Sequence, residues 1–213
     1  MGYLKKLVAA MGMVAASAVA AQAGWTGCGV GLQGGLSTGQ HDVSIGAFEL
    51  SGLGSDGYVA GVNANCDWQL GDKIVIGVGA DYNFGSTKLE VNPGLFSVEM
   101  GNSWDVYLRG GVLLTPATLL YILGGYSDTD VSWTIAGLAP PEAKGLMLGA
   151  GIEAKFSPNM TLGLEYRRHI AEQETILGAV NIDTTRDEIM GRIKYNIGLF
   201  GGGQDEPAPR SMK

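Results

Sequence analysis

The sequence predicts an all-β chain: an eight-stranded antiparallel up-and-down transmembrane β-barrel, with short turns at one end and long extracellular loops at the other. Three observations predict it. Eight segments alternate with period two and put their apolar residues on one face. The connections between them alternate short and long. The charged residues share a face with glycine and leave the other face apolar.

The chain begins with Lys5 and Lys6 ahead of an apolar, alanine-rich run over residues 7–20, which is short for a spanning helix. Ala21-Gln22-Ala23 follows as a small-x-small cleavage pattern, so residues 1–23 are expected to be a secretory signal peptide and Gly24 the first mature residue. No later stretch is apolar and long enough for a membrane helix, although 46% of the residues are hydrophobic. Removing Lys5 and Lys6 shifts the formal charge of −7 to −9, a poor balance for binding nucleic acid.

Strands are expected over residues 27–37, 57–69, 73–85, 103–114, 119–127, 145–156, 160–171 and 187–199. Ile74, Ile76, Val78, Ala80, Tyr82 and Phe84 share one face of the third, against Val75, Gly77, Gly79, Asp81 and Asn83 on the other. The sixth repeats the pattern, with Leu146, Leu148, Ala150, Ile152, Ala154 and Phe156 opposite Gly149, Gly151, Glu153 and Lys155. Lengths of about 9–13 residues suit tilted strands crossing a bilayer. The long connections, 38–56, 86–102, 128–144 and 172–186, all fall at one end, which a soluble barrel has no reason to repeat four times.

The glycine face must be the inner one, because only small residues relieve the crowding of a narrow barrel. Asp81, Asp105, Arg109, Glu153, Lys155, Glu165, Arg167, Arg192 and Lys194 lie on it and are expected to form a lumen charge network. Glu165 is expected to pair with Arg192 or Lys194, and Asp81 or Asp105 with Arg109. Lipid then takes the apolar face. Tyr58, Tyr82, Phe84, Trp104, Tyr126 and Tyr166 gather on it near the long loops, and Trp68 and Phe156 near the short turns, as an aromatic girdle would.

The only cysteines, Cys28 and Cys66, are symmetric about residue 47, the centre of the first long loop. Antiparallel pairing sets them opposite each other with outward parity, at a Cβ separation of about 4.5–5.5 Å, slightly long for a relaxed disulfide. A disulfide is expected. A register slip of one residue would instead leave two free thiols.

Several strings resemble the outer-membrane β-barrel family of small porin-like and opacity-type surface proteins of Gram-negative bacteria. The most specific is GAGIEAKFSPN at residues 149–159, continuing as MTLGLEY at 160–166, which is similar to the family's final hairpin. Trp25-Thr26-Gly27 resembles its mature N-terminus. Asn65-Cys66-Asp67-Trp68-Gln69 resembles the end of its second strand, and Leu120-Tyr121 with Gly124-Gly125 its fifth. The last strand departs from the pattern: Ile193-Lys194-Tyr195-Asn196 runs into Ile197 where the family has a terminal Phe. The resemblance implies a cell outer membrane location; residues 24–200 are expected to be the barrel, and residues 201–213, with their Gly, Pro and charged residues, a disordered periplasmic tail.

Chemistry-bearing residues are few. His169 lies inward beside Arg167 and Glu165, where a salt-bridged lumen residue accounts for it, and His41 sits in a long loop. No catalytic set, metal-ligand spacing or cofactor motif is found, so neither an enzyme nor a cofactor is expected. The resemblance to the family implies a structural or adhesion barrel. Its partners would be outer-membrane lipid and an external ligand or host surface met through the four long loops. A small porin is the alternative, and a rim-site outer-membrane enzyme a more distant one.

Overall fold

The computed structural model describes residues 24–45, 48–91, 96–133, 143–171, 174–176 and 180–197. The expected signal peptide and the tail from Gly201 lie outside the described residues. Among these residues, nine strands form one antiparallel sheet: β1 (Gly27–Ile45), β2 (Phe48–Leu70), β3 (Ile74–Val91), β4 (Phe96–Thr115), β5 (Thr118–Trp133), β6 (Ala143–Ser157), β7 (Met160–Ala171), β8 (Glu174–Ile176) and β9 (Val180–Asn196). Each long strand pairs with its neighbour, and β9 pairs with both β7 and β1, which closes an eight-stranded barrel. The three-residue β8 adds only to the upper end of β9.

The ladder gives the tilt. From Cys28 the pairing passes to Cys66, Val78, Leu108, Gly124, Leu148, Arg168 and Asp187, and returns to β1 at Thr38. One circuit therefore climbs ten residues along β1, the stagger that accompanies strands tilted by about 35–45°. Closure also removes every free sheet edge that lipid would otherwise meet.

At the short-turn end, β1 to β7 begin or stop within one residue of their expected ends, whereas β9 stops at Asn196, three residues before the expected 199. The turns fall at residues 71–73, 116–117 and 158–159. Gly71 has φ +63°, a left-handed conformation that suits glycine. At the other end the strands run well past expectation: β1 continues to Ile45, β2 begins at Phe48, and β4 begins at Phe96. Much of 38–56, 86–102, 128–144 and 172–186 is thus paired strand instead of loop. The ladder needs only backbone N–H and C=O, whereas the period-two signal needs one face in lipid, so the signal fades where the wall leaves the hydrocarbon.

Sidedness follows the alternation. Leu32, Leu36, Val62, Ile76, Leu108, Ile122, Leu148 and Leu162 are exposed to lipid, while the interior holds the charged residues. The interior also carries an apolar stripe of Val75, Tyr107, Leu119, Tyr121, Leu123 and Met147, which packs with Trp25. Inward glycines make room for these rings. A Cβ on Gly79 would sit 2.4 Å from Tyr107 Cζ, and one on Gly151 would sit 2.5 Å from Tyr121 Oη.

Candidate functional site: the packed lumen and its two rims

Residues 24–26 turn into the short-turn mouth. The Trp25 N–H donates to Gln69 Oε1 (2.9 Å), and its indole Nε1–H donates to the Pro116 carbonyl (3.1 Å). Lys155 Nζ donates to the Gly24 carbonyl at 2.7 Å and lies 4.7 Å from the Trp25 ring centroid, in cation–π range. Trp25 is buried and caps this end of the lumen. It precedes the first strand, so no periodicity marked it.

Above it, charged side chains stack in three tiers. In the lowest, Arg109 holds Asp67 through Nε–Oδ1 (2.7 Å) and Nη2–Oδ2 (2.5 Å), and reaches Glu153 Oε1 through Nη1 at 2.9 Å. Lys194 Nζ donates to Glu153 Oε2 (3.1 Å) and Asp67 Oδ2 (3.4 Å). The expected partner of Arg109, Asp81 or Asp105, is therefore corrected to Asp67 and Glu153. Arg109 and Asp67 both pair with Gly77 in the ladder, one from each side. With no side chain on Gly77, the guanidinium lies across that row, whereas Asp105 is four residues away along β4, about 13 Å.

The middle tier centres on Arg167, whose side chain is fully buried. It donates to Glu165 Oε1 (2.5 Å), to Asp105 Oδ2 (2.9 Å) and to Asp81 Oδ2. Asp81 and Asp105 face each other directly in the β3–β4 ladder. Opposed like charges destabilise a sheet unless a cation is shared between them, and Arg167 supplies it from across the lumen. Arg192 joins Glu165 (2.6 Å), the Tyr107 hydroxyl (3.0 Å) and Asp81 (3.3 Å), while the Tyr121 hydroxyl donates to Glu165 Oε2 at 2.5 Å. Glu165 thus meets Arg192, and Lys194 belongs to the tier below.

In the upper tier, His169 Nε2 lies 3.1 Å from Glu188 Oε2, and Arg186 Nε lies 3.1 Å from Glu188 Oε1. Asp67, Arg186 and Glu188 were not singled out from the sequence. Asp67 has the inward parity of Asn63 and Asn65, and Glu188 that of Arg192, so parity alone could have found both. Arg186 lies before the expected start of its strand, where the apolar signal had ended.

The nine expected lumen residues are all buried. With the additions, the buried acids among the described residues are Asp67, Asp81, Asp105, Glu153, Glu165 and Glu188, matched in number by Arg109, Lys155, Arg167, Arg186, Arg192 and Lys194. On the outer face, Tyr58, Tyr82, Phe84, Trp104, Tyr126, Phe156 and Tyr166 are exposed and Trp68 is half-buried. Ring contacts link Tyr82 to Phe84 (5.0 Å) and Trp104 to Tyr126 (5.9 Å). Among them Arg168 faces outward and pairs with Asp187 through Nε–Oδ1 (2.7 Å) and Nη2–Oδ2 (2.8 Å). The Tyr166 hydroxyl donates to the same carboxylate at 2.7 Å. Long polar side chains reach from a lipid-facing wall toward the interface in this way. Cys28 and Cys66 pair directly in the ladder and form a disulfide, with Cα atoms 4.0 Å apart. Among the described residues, no group of three His, Cys, Asp or Glu side chains converges as metal ligands would.

A family described as outer membrane protein beta-barrel domain matches residues 7–200. The chain belongs to that family. Its place is accordingly the outer membrane, where the beta-barrel domain sits in lipid and presents loops at the surface. The chain is similar to the 31 kDa outer-membrane immunogenic protein of Brucella melitensis, 26% identical over 167 residues, covering 67% of this chain and 69% of the relative. Its fold is similar to that of Ail, the attachment invasion locus protein of Yersinia pestis, with a TM-score of 0.40 at 16% identity, covering 78% of this chain and 99% of that one. It is also similar to Neisserial surface protein A, with a TM-score of 0.46 at 14% identity, covering 78% of this chain and 96% of that one.

Proposed function

We propose that this protein is a closed, non-conducting surface barrel, whose wall and plugged lumen anchor the external loops for a structural or adhesive role toward an external ligand or host surface. The observation that carries this reading is the filled interior. Among the described residues, six carboxylates and five cations are paired in three tiers, Lys155 and Trp25 close one mouth, and an apolar stripe fills the space beside them. Such a lumen has no stripe of one sign of charge to guide an ion, and unlocking it would strand buried charges. Its chemistry serves rigidity, which leaves contact with the outside to the loops.

The test has two arms. A verified monomer in a planar bilayer is expected to show no steady single-channel current, and sustained currents that survive trimming of the external loops would replace this reading with the porin one. Cells displaying the intact protein are expected to bind external surfaces more than cells displaying a loop-trimmed barrel that still migrates as folded on unboiled gels. Equal binding, together with an unchanged envelope on deletion of the gene, would remove both the adhesive and the structural role.

A further inference from the structure

The upper tier of the lumen leaves hydrogen-bonding capacity unused. Arg186 is only 6% exposed, yet neither its Nε nor its Nη2 makes a hydrogen bond to any described residue. Glu188 Oε1, 3.1 Å from Nε, balances the charge without lying along the N–H direction. Ser127 Oγ on β5 and His169 Nδ1 on β7 are buried and unpartnered in the same sense. All three side chains line one cavity of about 20 Å³, together with Thr129 and Gly145, at the external end of the lumen.

Nε and Nη2 form one edge of a guanidinium, and this chain shows twice what that edge holds. Arg109 grips Asp67 with it, and Arg168 grips Asp187 with it, each through two nitrogen–oxygen contacts of 2.5–2.8 Å. Both are two-point carboxylate pairs. In Arg186, which lines the cavity, both nitrogens of that edge are without a hydrogen-bond partner.

We propose that the external mouth of the lumen binds a small free carboxylate, held at two points by Arg186 Nε and Nη2 and at a third by the Ser127 hydroxyl. The size limits the ligand: the cavity exceeds the ~10–15 Å³ that one water needs but holds only a compact head of a few heavy atoms. Formate and acetate fit this class, and a sugar or an aromatic acid does not. His169 Nε2 lies 3.1 Å from Glu188 Oε2, which leaves its Nδ1 unpartnered beside the cavity. The charges around it are matched: Asp105 on β4, 4.0 Å from Nδ1, is paired with Arg167 on β7, and Glu188 with Arg186 on β9.

The test uses the full outer-membrane-matured chain in detergent micelles, titrated with sodium formate against sodium chloride at equal ionic strength, and followed by amide NMR at Ser127, Gly145 and Arg186. Formate is expected to give saturable shifts that chloride does not. Arg186→Gln is expected to abolish them, Arg186→Lys to weaken binding more than about tenfold by losing the fork, and Ser127→Ala to weaken it about three- to tenfold. Folding of each variant is read from its unboiled gel migration, and if Arg186→Gln does not fold, the other two variants decide. The proposal is overturned by absent saturation, as for a cavity holding water alone. Equal shifts from chloride, or formate affinity unchanged in the Arg186 and Ser127 variants, would overturn it as well.

Discussion

Arg167→Met removes the cation at the centre of the middle tier while keeping an unbranched side chain of similar length. In the wild type, Arg167 and Arg192 face Asp81, Asp105 and Glu165. After the change, Glu165 keeps Arg192 at 2.6 Å and the Tyr121 hydroxyl, and Asp81 keeps Arg192 at 3.3 Å and the Tyr107 hydroxyl. Asp105 keeps only the Asn83 amide at 3.0 Å, in a side chain that is fully buried. Breaking a buried pair from one side costs about 3–5 kcal/mol, a large share of the roughly 5–15 kcal/mol that holds an ordinary domain folded. Asp105 is the most stranded group, so Asp105→Asn in the same chain is expected to recover about 1–3 kcal/mol of that loss. Reversible urea unfolding in lipid vesicles, followed by tryptophan fluorescence, measures the four corners of this cycle. The reasoning fails if Arg167→Met costs less than about 1 kcal/mol. It also fails if the cost is the same in a chain that already carries Asp105→Asn.

Other consequences can be measured in the same assay. Replacing Cys28 and Cys66 together by Ser opens a crosslink spanning 38 residues, worth about 4 kcal/mol by chain entropy, and unreduced alkylated protein is expected to show no labelled thiol in its mass spectrum. Gly125→Ala puts a Cβ 2.0 Å from the Val106 carbonyl oxygen and 2.7 Å from Tyr107 Cβ, which is expected to cost at least about 1–3 kcal/mol. Gly110→Ala meets nothing within 4 Å and is expected to leave the unfolding midpoint unchanged. Trp25→Ala removes the mouth cap with both its hydrogen bonding and its packing, for an expected loss of about 3–5 kcal/mol. A midpoint unchanged by that substitution would show that residues 24–26 do not bind the mouth.

Much of the wall was legible in the sequence because lipid imposes a strict rule on it: within the hydrocarbon, every second residue must be apolar. Ile74, Ile76 and Val78 carry that rule in the order of the letters, and so do the inward charges between the apolar positions of β6, β7 and β9. The cysteine pair was legible for the same reason. Cys28 and Cys66 are symmetric about residue 47 and do fall opposite each other, although the hairpin tip pairs Ile45 with Phe48 and reaches that register only through the shift between His41 and Val43. Above the hydrocarbon the rule lapses, so strand residues such as Gly39 and Gln40 carry no sign of the ladder that pairs them.

What the sequence by itself determined is therefore the inward or outward sense of each residue and the neighbours each strand has along the hairpins. Only the tertiary structure decided which charges meet across the lumen. The ten-residue stagger and the bare row at Gly77 turn Arg109 to Asp67, and bring Arg167 from β7 onto the facing Asp81 and Asp105. The same closure seats Trp25 in the mouth and gathers Arg186, His169 and Ser127 around one small cavity. Period two carries one bit per residue, inside or outside. Contacts across a closed barrel depend on tilt, stagger and side-chain reach, which arise only when the last strand meets the first.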